Sequence, residues 1–263
     1  MADLEALLAD FTGECADLET LVAPLSPADW ALPTPAAGWT IAHQIGHLAW
    51  TDEVATLAAT DAERFTILVT EAAPKVLTFV DEAAAEAATA APADLLNRWQ
   101  RGRSTLVDAL RAVPVGTKLP WFGPPMSAAS MISARIMETW AHGQDVADAL
   151  GATRVPTARL RNIAHIGVRT RNFAYQVRGE TPPATEFRVE LDAPDGTVWT
   201  WGPETAEQRI TGAAADFCLL VTQRRHRDDL ALTTEGADAA HWLTIAQAFA
   251  GPTGEGRKAG QFG

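Results

Sequence analysis

The sequence predicts an α+β protein, with a four-helix bundle over residues 1–152 followed by a connector helix and a smaller α/β domain with a flexible tail over residues 153–263. Three observations carry that division. Apolar residues recur at spacings of three and four through long segments of the first part, as amphipathic helices require. Alternating apolar and polar residues flank a Pro194-Asp195-Gly196 turn in the second, a hairpin signature. Residues 1–150 hold 20 Asp and Glu against 8 Lys and Arg, whereas residues 151–263 hold 13 of each, so the net charge of −12 sits wholly in the first part.

Leu4, Leu7, Leu8, Phe11, Cys15, Leu18 and Leu21 define a first helix from about Asp3 to Val22, stopped before Pro24. The segment SPADWALPTPAAGW is a proline-punctuated loop with a turn of helix near Pro27 to Trp30. Thr40 caps a second helix, IAHQIGHLAWTDEVATLAAT, which places His43, His47 and Trp50 on one face. Asp61 to Ala90 is Ala-rich and helical with a break at Pro74, an excursion or part of a lid. Pro92 to Val113 forms the third main helix, closed by Pro114. The loop PVGTKLPWFGPPM then carries Trp121 and Phe122 into the fourth.

The fourth helix runs from the cap Ser127 to Gly151. Glu138 and His142 stand four residues apart, so one turn stacks a carboxylate under an imidazole where both can reach a common ion. An up-and-down bundle is the economical arrangement of four such helices, and it can bring His47 opposite the pair. Two imidazoles and one carboxylate would leave coordination positions open. At this spacing a surface pair or an interhelical hydrogen bond is the competing reading, and for His43 a buried structural imidazole is the better one.

In the second part, Pro156 to Arg178 reads as a single arginine-bearing connector helix. EFRVELDAPDGTVWTWGP is a hairpin, and Gln208 to Thr211 a short strand. Ala213 to Thr222 is a helix, Leu230 to Thr233 a last strand and Ala237 to Phe249 a terminal helix. The end, GPTGEGRKAGQFG, is too rich in glycine to order itself.

Composition narrows the function classes. A hydrophobic fraction of 47% and a charged fraction of 21% are those of a globular chain. The acidic balance argues against nucleic acid as a partner, which needs a basic surface. Neither a signal peptide nor a membrane-spanning stretch is expected, so a cytoplasmic monomer or homodimer acting on a small molecule is. Cys15 and Cys218 form no CxxC pair and read as buried side chains.

GWTIAHQIGHLAWTDE and IMETWAHGQDVADALG together resemble the DinB-like, mycothiol-dependent maleylpyruvate isomerase family, within it a two-domain actinobacterial metal-binding subgroup. The resemblance covers the first 150 residues. It implies a DinB-like bundle in which His47, Glu138 and His142 hold a divalent metal, zinc first, with nickel or iron(II) compatible with the ligands. It implies mycothiol as a thiol cosubstrate and a sterol-carrier-like second domain. In the family a helix ending in Gly-Arg directs an arginine to the metal cavity. The corresponding segment here is Gln223-Arg224-Arg225, with Gln for Gly, pointing to Arg224 and then Arg225 as catalytic. His43 is a further catalytic candidate, and Trp50, Trp121 and Phe122 would form apolar walls around the bound cosubstrate. The activity implied is thiolate addition to an electrophilic or enolizable substrate, giving isomerisation or S-transfer. Two alternatives are a small-molecule binding protein with a structural metal and a metal-dependent hydrolase that uses no thiol.

Overall fold

The computed structural model describes residues 3–76 and 78–262. Leu77, inside the expected Ala-rich helical stretch, and the chain ends at 1–2 and 263 lie outside the described residues. The chain divides into two compact units, Met1–Arg154 and Val155–Gly263.

Four long helices build the first unit: α1 (Leu4–Val22), α2 (Ile41–Thr60), α5 (Pro92–Arg111) and α6 (Ala128–Leu150), with the shorter α3 (Ala62–Ala72) and α4 (Phe79–Ala87) between α2 and α5. Local chemistry sets their ends. The Asp3 and Asp61 carboxylates accept backbone N–H bonds from Glu5 and Arg64, at 3.1 and 2.9 Å, and Ser127 Oγ accepts from Ser130 N–H at 3.1 Å. Pro92 begins α5, where its missing N–H costs nothing. Gly151 ends α6 in the left-handed region, φ 63°.

The main helix pairings are α2 with α5, α1 with α6 and α2 with α6, while α1 touches α5 lightly. Helices successive in the chain, α1 then α2 and α5 then α6, therefore are not the close pairs, which departs from the expected up-and-down order. The long connection 23–40 permits that crossing. The interior is closed by Leu8, Phe11, Leu18, Ile45, Trp99 and Ile132, all nearly inaccessible. Helix α4 docks on α2 at Gly46, where a Cβ would come 2.8 Å from the Ala87 Cβ. The two strands of the 114–126 loop are pinned by a pair of backbone bonds between Leu119 and Met126, at 2.7 and 2.9 Å, which leaves Trp121 and Phe122 near its tip.

The second unit is a mixed four-stranded sheet with helices. Its strands β1 (Phe187–Asp192), β2 (Val198–Trp201), β3 (Gln208–Ala213) and β4 (Thr233–Glu235) lie in the order β2-β1-β3-β4, with β1 parallel to β3 and the other pairs antiparallel. The hairpin forms where expected, Asp195 Oδ1 accepting from Thr197 N–H at 3.0 Å. The last strand lies at Thr233–Glu235, later than the expected 230–233, because Arg227–Asp229 forms a 3₁₀ turn first.

The expected single connector helix is two helices, α7 (Leu160–Arg169) and α8 (Arg171–Gln176). Thr170 ends the first by donating its hydroxyl to the Ile166 carbonyl at 3.0 Å. Both pack within the second unit, α7 on α9 (Ala214–Val221) and α8 on α10 (Ala237–Ile245). Helix α10 stops at Ile245, earlier than expected. The glycine-rich tail has no helix or strand among its described residues, yet it is attached: Gly260 N–H donates to Asp229 Oδ1 at 2.8 Å, and just before the tail Ala248 N–H donates to the Val221 carbonyl at 2.7 Å.

A candidate metal centre in the helical unit

Helices α2 and α6 pack against each other and bring His47, from the first, to Glu138 and His142, from the second. Both Nε2 atoms lie 3.3 Å from the same carboxylate oxygen, Glu138 Oε2, and the three donor atoms fall within 4.8 Å of one another. Metal–ligand bonds of about 2.1 Å in tetrahedral geometry separate neighbouring ligand atoms by about 3.4 Å. The two 3.3 Å spacings to Glu138 match that separation and are longer than a good charge-assisted hydrogen bond, and with the third donor pair inside 4.8 Å the group could hold one ion. Burial pushes the Glu138 carboxyl up, but hydrogen bonds from His142 and His47 outweigh it and hold the group well below the usual carboxylate range.

One of the three donors has its outer nitrogen fixed. Gln44 Oε1 accepts from His142 Nδ1 at 2.5 Å, and Gln44 Nε2 donates to Thr34 Oγ1 at 2.8 Å. With Nδ1 engaged by Gln44, Nε2 is the His142 nitrogen turned toward Glu138, and an ion displacing its proton there would meet the lone pair that metal binding requires. His47 Nδ1 is buried without a hydrogen-bond partner among the described residues.

Aromatic rings surround the group. Trp39 stacks on His142 with centroids 5.9 Å apart and planes at 16°, lies 5.4 Å from His47 and donates its indole N–H to Asp81 at 3.0 Å. On the other side Trp50 is 6.2 Å from His47, Phe79 is 5.6 Å from Trp50, and Phe122 is 5.4 Å from Phe79. Phe122 in turn meets Trp121 and Phe65 at 5.3 and 5.4 Å. Trp50, Trp121 and Phe122 thus join one chain of ring contacts, of which Trp50 meets His47. Trp39, Phe65 and Phe79 complete it and were not expected there.

His43 stands apart from the three-donor group. Its Nδ1 takes hydrogen bonds from the Thr40 N–H and Oγ, at 3.3 and 2.8 Å, so it finishes the start of α2. Arg224 and Arg225 belong to the second unit, just after α9. Gln223 adopts φ 58°, and the Arg224 N–H reaches back to the Leu219 carbonyl at 2.8 Å. This is the Schellman ending that glycine usually supplies, so the Gln-for-Gly departure keeps the same backbone path. Arg224 Nη1 donates to the Thr222 carbonyl at 2.6 Å, and the Arg225 guanidinium lies 4.1 Å over the Phe262 ring.

A buried ion pair supports the same two helices. Arg135, one turn before Glu138, donates from Nε to Asp52 Oδ1 at 2.9 Å. Both side chains are inaccessible, and Asp52 Oδ2 and Arg135 Nη2 have no hydrogen-bond partner among the described residues. Burial pushes the Asp52 carboxyl up against the pull of Arg135. The sequence signal was present, a charge at position 52 and another at 135 on otherwise apolar helix faces. Cys15 and Cys218 are buried, and burial pushes both thiols up, away from reactivity.

Comparison with known proteins agrees with this layout. The family described as the mycothiol maleylpyruvate isomerase N-terminal domain matches residues 11–147, and one described as wyosine base formation matches residues 183–235. Two uncharacterised proteins, from two strains of Mycobacterium tuberculosis, are each 59% identical over 257 residues, covering 98% of this chain and 100% of theirs. The crystal structure of the mycothiol-dependent maleylpyruvate isomerase aligns with a TM-score of 0.60 at 19% identity, over 88% of this chain and 92% of that one. A histidine-to-alanine mutant of an enzyme so titled aligns at 0.59 and 18%, with the same coverage. At those identities the likeness is one of fold. The helical unit with its His47, Glu138 and His142 group, and the family match across it, place the chain in the mycothiol maleylpyruvate isomerase family.

Proposed function

We propose that the protein is a metal-dependent enzyme that activates mycothiol as a thiol cosubstrate for isomerisation of, or S-transfer to, a small electrophilic or enolizable substrate. The observation that carries the reading is the convergence of His47 Nε2, Glu138 Oε2 and His142 Nε2. We assign these three as ligands of a divalent ion, zinc first by ligand type, with nickel and iron(II) compatible. Such an ion would lower the pKa of a thiol beside it, so that thiolate is available near neutral pH.

The chain's own residues do the rest. Gln44 holds His142 in one tautomer, and Trp39 fixes the planes of the imidazoles. The wall of Trp50, Trp121 and Phe122 keeps water from the thiol and the electrophile. Thiolate adds to one carbon of a C=C conjugated with a carbonyl, and the C=C electrons move through the conjugated system to the carbonyl oxygen as an enolate. Rotation about the new single bond and expulsion of the thiolate return the isomer with the thiol regenerated. Arg224, with Arg225 next, is assigned to the enolate charge. His43, whose Nδ1 is committed to Thr40, is left with Nε2 as the ring atom for proton delivery. The reading places the protein in the cytoplasm with a small molecule as its partner. No helix among the described residues is long and apolar enough to cross a membrane.

Metal analysis of the purified protein and of His47→Ala, joined to turnover of maleylpyruvate with and without mycothiol, tests the proposal. One equivalent of metal that His47→Ala loses, and turnover that needs the thiol, are the expected results. Turnover undiminished without thiol would replace it with hydrolysis. Small-molecule binding unaffected in His47→Ala, with no thiol or electrophile consumed by the wild type, would replace it with a binding protein.

A further inference from the structure

The hydrogen bond between Gln44 and His142 has a direction, and the loop before α2 sets it. Gln44 is inaccessible, and its amide can present either its oxygen or its NH2 group to the imidazole. The partner at the far side of the amide decides between them. That partner is Thr34 Oγ1, 2.8 Å from Gln44 Nε2. Thr34 Oγ1 also lies 2.9 Å from the Trp39 carbonyl oxygen, which accepts the Thr34 backbone N–H as well, at 2.8 Å. A carbonyl only accepts, so the single hydroxyl proton goes to Trp39, and what Thr34 Oγ1 offers Gln44 is a lone pair. Gln44 therefore donates to Thr34 and turns its oxygen to His142 Nδ1, 2.5 Å away, and the imidazole has to bring the proton. With the amide reversed, the hydroxyl proton would go to Gln44. The Thr34 and Trp39 oxygens would then face each other at 2.9 Å with no proton between them, and His142 Nδ1 would be the acceptor.

The loop holds that carbonyl in place. Pro33 and Thr40 form an antiparallel bridge, the Ile41 N–H donates to the Leu32 carbonyl at 3.1 Å, and the Trp39 N–H donates to the Ala36 carbonyl at 3.0 Å. The Trp39 ring then closes a circuit, because it stacks on the same His142, with centroids 5.9 Å apart and planes at 16°. One residue thus fixes His142 twice: its ring covers the face of the imidazole, and its carbonyl, acting through Thr34 and Gln44, holds the edge.

We propose that Thr34 is a positioning residue for His142: it passes the acceptor-only character of the Trp39 carbonyl through Gln44, keeps a proton on Nδ1 and reserves Nε2 for an ion beside Glu138. Outer partners of this kind orient a ligand, and their loss typically costs about 10–100-fold in metal affinity. The Nδ1 proton is independent of any ion, whereas the effect on affinity rests on the metal reading above.

Proton–nitrogen NMR of the labelled full-length protein, joined to zinc titration, tests it. The wild type should show a His142 Nδ1–H signal protected from exchange with water, both with and without zinc. Thr34→Val, which keeps the side-chain shape and removes the hydroxyl, should lose that protection and bind zinc at least about tenfold more weakly, with an unchanged far-ultraviolet dichroism spectrum. Thr34→Ser should restore both. A wild-type His142 whose Nδ1 carries no proton would overturn the proposal, and that measurement needs no variant to fold. So would a Thr34→Val protein that keeps the protected proton or the wild-type zinc affinity, or a Thr34→Ser protein as impaired as Thr34→Val. A protected Nδ1–H in a wild type that binds no zinc would sink the metal reading while supporting this one.

Discussion

Asp52 and Arg135 offer a sharp energetic test, because the two charges are fully buried and only partly satisfied. At 2.9 Å the attraction between them is about 6 kcal/mol at an effective dielectric constant of about 20. Taking both from water costs several kcal/mol per ion, so the intact pair is close to neutral for stability. Losing one partner is different. Asp52→Leu strands a guanidinium that cannot shed its proton, and should cost about 3–5 kcal/mol at any pH between 5 and 8. Arg135→Met strands a carboxylate that can take a proton, and burial already pushes that carboxyl up. Its folded state then binds a proton that the unfolded state, at pKa about 3.9, does not. Stability therefore falls as pH rises between the unfolded and folded values, by at most about 1.4 kcal/mol per pH unit. The Arg135→Met deficit should shrink from pH 7.5 to pH 5, the Asp52→Leu deficit should not, and the double variant should return to within about 1 kcal/mol of the wild type. Urea denaturation followed by tryptophan fluorescence and far-ultraviolet dichroism measures all three. A cost under about 1 kcal/mol for Asp52→Leu, or a double variant no better than the worse single one, would refute the reasoning.

Other perturbations have defined directions. Gly46→Ala gains about 1 kcal/mol of helix propensity but drives a methyl against Ala87, so it should destabilise by about 1 kcal/mol net and be rescued by Ala87→Gly in thermal melts. Gln223→Gly relieves a left-handed side-chain conformation, and after the larger backbone entropy of glycine it should stabilise by up to about 1 kcal/mol, read as a raised urea midpoint. The hydrogen bond from Arg103 holds the Glu19 carboxyl below its ordinary value, against slight burial. Its contribution is therefore present above the unfolded pKa and lost as pH falls through the folded one. Glu19→Gln should accordingly flatten the decline of stability between about pH 5 and pH 3, measured by melting temperature against pH.

Local rules wrote much of this fold into the sequence. The helices α1, α2, α5 and α6 begin at Asp3, Thr40, Pro92 and Ser127 because capping and proline chemistry act within a few residues. The Glu138 and His142 spacing is likewise local. Which helices become neighbours is not, since it depends on side chains far apart in sequence, and the assumed order of the bundle was wrong for that reason. Gln44 carries no motif, and its role exists only once α2 meets α6. Phe65 and Phe79 read as ordinary apolar residues until folding sets them against Phe122. The break at Thr170 was hidden because a hydroxyl bonded to its own helix leaves no trace in apolar spacing.

The separation of the metal group along the chain bears on how the protein reaches its native state. His47 and Glu138 are 91 positions apart, so the donor set closes only after a long loop has been paid for in entropy. Local helices can form in microseconds without it. If the three donors hold an ion as proposed, its uptake should be a late event on the refolding path, and the ion should act as a thermodynamic latch, lowering the unfolding rate more than it raises the folding rate.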